Sequence, residues 1–130
     1  MSTVLVTGAA GFIGSHPTDR LLSLGMRVVG FDNLSTGDVA NLSSAMQDPH
    51  FHFVRGDLPD TEATRRALAD SKLVFHLAAD AEVRAGAHDP DEQFKQNLQA
   101  TYHLLETTRR RATPTRLVFA STSTIYGEAT

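Results

Sequence analysis

The sequence predicts an α/β fold, a doubly wound parallel β-sheet of about five strands. Short apolar runs rich in β-branched residues alternate with longer segments of helical period along the 130 residues. Most of these runs are apolar almost throughout, which is typical of strands that a parallel sheet buries on both faces. Alternating strands and helices also favour right-handed crossovers between parallel strands. The predicted strands are 3–6, 27–31, 51–54, 73–77 and 117–120.

The sequence predicts four helices between these strands, at about 12–24, 38–46, 61–69 and 90–111. The last has the clearest start, because Asp89 can cap it, Pro90 suits its first position and Glu92 completes a capping box. Its apolar positions recur at spacings of three and four, and we expect the face they form to pack on the sheet. That face consists of Phe94, Leu98, Thr101 and Leu105.

Composition excludes several classes of function. The net charge of −3 gives no electrostatic reason to expect nucleic acid or an anionic membrane as a partner. The chain has no cysteine, which excludes disulfides and thiolate metal sites and agrees with a reducing cytosol. No apolar run approaches the roughly 18 residues of a membrane span, and the histidines show no helical metal-binding spacing. We expect one cytoplasmic domain without a metal site.

A glycine-rich turn follows the first predicted strand, with Gly8, Gly11 and Gly14 in the spacing G-x-x-G-x-x-G. Gly8 would allow the tight turn, Gly11 would let the backbone approach a pyrophosphate, and Gly14 would let the next helix lie close to the sheet. The N-terminus of that helix would offer free N–H groups and a positive dipole end to phosphate. Three glycines alone are equally compatible with a plain turn.

Asp32 makes the dinucleotide interpretation stronger. It follows the second predicted strand and lies 18 residues after Gly14, near the spacing of about 20 expected for a ribose-binding carboxylate. A carboxylate there accepts hydrogen bonds from both ribose hydroxyls and repels a 2′-phosphate, so the sequence favours NAD over NADP. The alternative is an aspartate that caps a turn.

Pro17 argues against an ideal site. It lies inside the predicted first helix, where an interior proline costs about 3 kcal/mol or more. We therefore expect a kink or a local adjustment, and weaker cofactor binding than the other residues suggest.

Six segments, taken in order, resemble the extended short-chain dehydrogenase/reductase family, and within it the branch of the UDP-glucose 4-epimerases. They are the nucleotide turn 8–16, the strand end 31–34, the segments 56–58 and 76–79, Asn97 in the long helix, and the segment 121–127. The resemblance implies a Rossmann-type sheet with the strand order 3-2-1-4-5. It also implies an NAD site at the carboxyl ends of strands one and four.

The resemblance also assigns roles to particular residues. Asp57 would bind the adenine amino group, Ala78 and Ala79 would line the cofactor, and Asn97 would support the nicotinamide side. The implied cofactor-binding residues are Gly8, Gly11, Phe12, Ile13, Gly14, Asp32, Asn33, Asp57, Leu58, Ala78, Ala79 and Asn97.

Thr122 is the one catalytic residue that the resemblance implies within this chain. It lies four residues before the Tyr126-Gly127 pair and would hydrogen-bond the substrate at its reacting carbon. In the related 4,6-dehydratases an acidic pair follows this position, whereas Ser123 and Thr124 follow it here. The resemblance therefore favours epimerisation, by transient oxidation at C4 of a nucleotide sugar, over dehydration.

The family's hydride chemistry also needs a Tyr-x-x-x-Lys pair, which this chain does not contain. Tyr102 is followed four residues later by Glu106, and Tyr126 by Thr130. We therefore expect residues 1–130 to be the truncated NAD-binding domain of a longer enzyme, without the Tyr-Lys helix and the C-terminal substrate domain. Alone, they should be inactive.

Two alternatives remain open from the sequence. The chain could be a non-catalytic NAD-binding module, or it could belong to a related dehydratase, reductase or decarboxylase. In either case the strand 116–120 would lie at an apolar edge of the sheet, and such edges invite pairing with another chain. We expect self-association, for example as a homodimer through this edge.

Overall fold

The computed structural model describes residues 2–81 and 89–128, and its centre is one five-stranded parallel sheet. The strand order is β3-β2-β1-β4-β5, as predicted, and each neighbouring pair is parallel. The apolar runs therefore mark the strands correctly, with ends that differ by one or two residues. The strands are β1 (Thr3–Thr7), β2 (Arg27–Asp32), β3 (Phe51–Arg55), β4 (Ser71–His76) and β5 (Arg116–Phe119).

Helices cover both faces of the sheet. They are α1 (Phe12–Ser23), α2 (Thr61–Leu68), α3 (Pro90–Gln93) and α4 (Ala100–Arg109). A π-helical segment, Phe94–Gln99, joins α3 to α4, and we call these three pieces together the long helix. Asp89 caps its start through a hydrogen bond from the backbone N–H of Glu92, as the sequence predicted.

Two apolar clusters lie on opposite sides of the sheet. Val4 and Val6 of β1 belong to the cluster that includes Leu21 and Leu22 of α1. Leu5 of β1 points the other way, into the cluster that includes side chains from α2 and the long helix. Because neighbouring side chains of β1 alternate between the clusters, this strand is buried on both faces. The result is the doubly wound arrangement that the sequence predicted.

The predicted helix at 38–46 is wrong. This region forms two short 3-10 turns, Val39–Leu42 and Ala45–Gln47. The backbone N–H groups of Asn41 and Ser43 donate to the carbonyls three residues earlier, which is the 3-10 pattern, and the side-chain amide of Asn41 donates to the carbonyl of Ala10 at 2.8 Å. Leu42 and Ala45 still pack into the core. The apolar positions were therefore identified correctly, and the secondary structure was not.

The predicted buried face of the long helix is wrong at three of its four positions, since only Thr101 is half-buried and contacts His76 of β4, at 2.9 Å. Phe94, Leu98 and Leu105 are 53%, 60% and 48% exposed. The residues that pack on the sheet side are instead Ala100, Leu104 and Thr107, all buried. These three also recur at spacings of four and three, so the spacing alone does not separate the two faces. Small side chains at the contact let the helix lie close to the sheet.

Pro17 lies within α1, which is nevertheless helical from Phe12 to Ser23. The backbone N–H of Ser15 donates to the carbonyl of Gly11 at 3.1 Å. The hydroxyl of Thr18 donates to the carbonyl of Gly14 at 2.8 Å. The helix therefore continues across the proline. The predicted weakening of cofactor binding stays a prediction.

Candidate functional site

A pocket opens at the carboxyl ends of β1 to β4. The chain that leaves β1 and the chain that leaves β4 pass to opposite faces of the sheet at this point. In doubly wound folds, ligands bind at such a switch point. The pocket brings together eight of the predicted cofactor-binding residues. They are Gly8, Gly11, Asp32, Asn33, Asp57, Leu58, Ala78 and Ala79.

The glycine turn lies in close contact with the backbone that follows β4. Gly8 has a φ of 68°, which favours glycine, and a Cβ built on it would lie 2.7 Å from the backbone nitrogen of Ala78. A Cβ on Gly14 would overlap the carbonyl oxygen of Gly8. The N–H of Gly8 donates to the carbonyl of Phe31 at 2.9 Å, which ties the turn to β2. These contacts account for two of the three glycines in the motif.

The turn leads directly into the N-terminus of α1. Gly11 occupies the N-cap position, and within the described residues no side chain caps the helix. Its first turn carries no acidic residue. Uncapped N–H groups and the positive end of the helix dipole fit an anionic ligand. Phe12 and Ile13, the first two helical residues, have side chains 77% and 69% exposed, outside the pocket wall.

Asp32 ends β2 and holds the turns on either side of it. Its side chain is buried, with Oδ2 accepting from the N–H of Ala10 at 2.9 Å and Oδ1 from the N–H of Leu34 at 2.8 Å. The second bond stabilises Leu34 at a φ of 60°, which is costly for a side chain of this kind. A carboxylate can accept about four hydrogen bonds, so capacity remains for a ligand hydroxyl.

Polar side chains from the loop after β2 and from the long helix contact Asp57 and one another at the pocket. Asn33 donates its amide to Asp57 at 3.3 Å and to Gln96 at 3.1 Å. Lys95 places its ammonium 3.4 Å from the other oxygen of Asp57, and Gln96 donates to Glu92 at 2.7 Å. The long helix therefore supplies part of the pocket wall and orients Asp57.

Asn97 holds the segment that follows β4. Its Oδ1 accepts from the N–H of Asp80 at 2.8 Å, and its Nδ2 donates to the carbonyl of Asp80 at 3.1 Å and to the side chain of Gln93 at 3.0 Å. Asn97 does not line the pocket. Its position agrees with a supporting role, because it fixes the backbone just beyond Ala78 and Ala79.

His76, the last residue of β4, lies beneath this segment and is 1% exposed. Its two ring nitrogens contact the hydroxyls of Thr7 and Thr101 at 2.7 and 2.9 Å. Burial lowers the pKa of His76 from 6.5 to about 4, so the ring is neutral near pH 7.

The model of the NAD dependent epimerase/dehydratase family matches residues 4–130. The chain belongs to this family. It is 42% identical over 125 residues to the UDP-glucose 4-epimerase of Mycolicibacterium smegmatis, and the match covers 95% of this chain and 40% of that protein. It is 32% identical to UDP-glucuronic acid decarboxylase 1 of Arabidopsis thaliana, covering 96% of this chain and 27% of that one.

Among solved structures, the chain is similar to the UDP-glucose 4-epimerase of Thermus thermophilus in complex with NAD. The TM-score is 0.80 and the identity 42%, with 92% of this chain and 37% of that chain covered. The chain thus spans about two fifths of the length of these two epimerases, and less of the decarboxylase.

The family segment at 121–127 lies outside the pocket wall. Thr122 caps a 3-10 turn, Ser123–Tyr126, by accepting from the N–H of Thr124 at 3.3 Å. Its side chain is exposed, as is that of Tyr126. The structure therefore does not bring Thr122 together with the other predicted site residues, and its catalytic role stays a prediction.

The sequence interpretation missed several residues of the pocket wall. The loop after Asp32 carries a sequence signal for a turn, because asparagine favours turns. In the structure the side-chain oxygen of Asn33 accepts from the N–H of Ser35 in such a turn. Gln96 and Ala100 gave no signal, since they reach the pocket only through the placement of the long helix. The lining residues outside the predicted set are Phe31, Ser35, Thr36, Gly37, Gly56, Leu77, Gln96 and Ala100, of which Phe31, Gly56 and Leu77 belong to the segments that resemble the family.

Within residues 2–81 and 89–128, no group of three or more histidines and carboxylates is placed to hold a metal ion. None of the helices in the same part of the chain is both long and apolar enough to span a membrane.

Proposed function

We propose that this chain is the NAD-binding portion of a sugar-nucleotide 4-epimerase of the UDP-glucose/galactose type. The observation that carries the proposal is the position of Asp32, a buried carboxylate across the glycine turn from the uncapped N-terminus of α1. A carboxylate for ribose hydroxyls and free N–H groups for phosphate are the two sets of binding groups that a dinucleotide requires.

NAD would contact the predicted residues in four parts. Gly8, Gly11 and the backbone at Phe12 and Ile13 would hold the pyrophosphate. Asp32 and Asn33 would bind the adenosine ribose, and Asp57 with Leu58 would bind the adenine. Ala78 and Ala79 would face the nicotinamide half, supported by Asn97. When bound, NAD supplies reversible hydride transfer.

We propose epimerisation as the reaction of the whole protein, with a nucleotide sugar as its substrate. Thr122 is followed by Ser123 and Thr124, not by an acidic pair, and the identity to the M. smegmatis 4-epimerase is higher than to the decarboxylase. The decarboxylase similarity keeps a related reaction as the second candidate. The chain lacks the Tyr-x-x-x-Lys pair, so we expect the 130 residues alone not to turn over a sugar nucleotide.

Calorimetric titration of the chain with NAD and with NADP tests this proposal. We expect NAD to bind about tenfold more tightly, because the Asp32 carboxylate repels a 2′-phosphate. The variant D32N removes the charge and should reduce this preference; because it also loses one of the two acceptor oxygens, the readout is the ratio of the NAD and NADP affinities. D19N is the matched control, because Asp19 is an exposed residue of α1 and its loss should leave the preference unchanged.

Either of two results would contradict the proposal. A folded chain that binds neither dinucleotide would remove the assigned function. A D32N variant that keeps the preference of the unmodified chain would show that Asp32 does not select the cofactor.

We further propose a cytoplasmic location and a homodimer or other self-association. The composition without cysteine supports the first. Two surfaces support self-association. One is the exposed edge strand β5, and the other is the exposed apolar side of the long helix, formed by Phe94, Leu98, Tyr102 and Leu105.

A further inference from the structure

A hydrogen-bonded network of buried and half-buried hydroxyl and imidazole groups runs beneath the proposed dinucleotide pocket. Thr7, at the end of β1, contacts Nδ1 of His76 at 2.7 Å, and Thr101 of the long helix contacts Nε2 at 2.9 Å. The ring of Phe119 stacks on His76 with the ring centres 5.6 Å apart. Three elements of the fold thus meet at one histidine that does not line the pocket.

The contacts at each end determine where the hydrogens lie. Thr101 donates its only hydroxyl hydrogen to the carbonyl of Asn97 at 2.6 Å, so towards His76 it can only accept. Nε2 of His76 must therefore carry the ring proton. Thr7 accepts the N–H groups of Leu77 and Ala78, both at 3.2 Å, and this leaves its own hydrogen for Nδ1. The N–H of Leu77 is shared, because it also donates to the backbone carbonyl of Thr7 at 3.2 Å.

Both ends of this hydrogen-bonded network hold the same stretch of backbone, residues 77–80. Thr7 fixes the N–H groups of Leu77 and Ala78, and Asn97 fixes the N–H and carbonyl of Asp80. Asn97 lies in the π-helical segment of the long helix, and such segments are frequent at functional sites. Residues 77–79, which line the pocket, are therefore held from β1 and from the long helix.

We propose that His76 is a positioning residue for the dinucleotide site, and that its neutral Nε2–H form orders the hydroxyls that hold residues 77–80 at the pocket. The identity of the ligand rests on the proposed function, but the positioning role does not. A second proton on Nδ1 would face Thr7, whose hydroxyl would then have to give up an N–H of Leu77 or Ala78. Burial of the ring, which lowers its pKa to about 4, agrees with a single neutral form near pH 7.

The experiment compares variants of two threonines in the long helix. T101V removes the acceptor for His76, and T101S restores a hydroxyl. T108V is the matched control, because Thr108 also donates to the carbonyl four residues earlier, that of Leu104, at 2.8 Å. We expect T101V, but neither T101S nor T108V, to speed amide hydrogen exchange at Ala78 and Asp80 in the ligand-free chain about tenfold, and to weaken NAD binding by a similar factor.

Nitrogen NMR of the His76 ring gives the second readout, because it reports which ring nitrogen carries the proton. The expected result is a neutral ring protonated at Nε2. A charged ring near pH 7, or a proton at Nδ1, would overturn the proposal, as would T101V behaving like T108V in exchange or in NAD affinity. If the unmodified chain binds no NAD, the proposed function fails, and the exchange and ring measurements still decide the role of His76.

Discussion

At the scale of single residues, Asp32 shows how a binding group can also be structural. Its two oxygens hold Ala10 in the first turn and Leu34 in the second, so the carboxylate is fixed before any ligand arrives. Binding groups that are fixed in advance lose little conformational freedom when a ligand binds. Because asparagine keeps only one acceptor oxygen, D32N must release the N–H of Ala10 or of Leu34, and its effect is therefore read from the ratio of the NAD and NADP affinities.

His76 predicts an acid-sensitive fold. In the unfolded chain its pKa is near 6.5, and burial lowers it to about 4 in the folded chain. Between these values the unfolded state binds the proton and the folded state does not. The contribution to stability is therefore complete above pH 6.5 and is lost as the pH falls towards 4, by about 3 kcal/mol in total. Urea unfolding of the chain between pH 4.5 and 7.5 measures this slope.

The control for this prediction is a histidine on the surface. His52 lies in β3 with its side chain exposed, and H52Q should keep the slope of the unmodified chain. H76Q should be less stable near pH 7 and should lose most of the slope. An H76Q variant with an unchanged slope would assign the acid sensitivity to other groups.

At the scale of elements, the long helix predicts unequal effects at two neighbouring leucines. Leu104 is fully buried against the sheet, whereas Leu105 is 48% exposed. L104A should lower the free energy of unfolding by about 2–5 kcal/mol, because it leaves a cavity. L105A should cost less than about 1 kcal/mol. Chemical denaturation of both variants checks the assignment, and a larger loss in L105A would support the face predicted from the sequence.

The elements also show what the sequence could and could not predict. The five strands were identified because both faces of a parallel strand are apolar, and residues such as Asp32 were found because they follow those strands. The buried face of the long helix was missed because the exposed set that includes Leu98 and the buried set that includes Leu104 recur at equally regular spacing. The link between His76 and Thr101 was missed because it depends on how the long helix packs, which no local pattern encodes.

At the scale of the whole molecule, the fold places its binding groups at one end of the sheet and leaves apolar surface elsewhere. The central strand β1 is completely buried, whereas in the edge strand β5 Val118 and Phe119 are 42% and 54% exposed. On the long helix, Leu98 and Tyr102 are both exposed. Exposed apolar side chains on an edge strand and on one side of a helix indicate an interface or a risk of aggregation.

We therefore predict that the chain self-associates as its concentration rises, and that sedimentation velocity can identify the surface responsible. V118K places a charge on the open edge of β5, where lysine opposes strand pairing. L98E places a charge on the exposed side of the long helix. L24E is the control for both, because Leu24 is an equally exposed leucine at the end of α1, away from either surface. We expect V118K or L98E, but not L24E, to shift the chain towards the monomer, and whichever variant does so locates the contact. An unmodified chain that stays monomeric at high concentration would contradict the prediction, since the exposed apolar groups would then be tolerated in water.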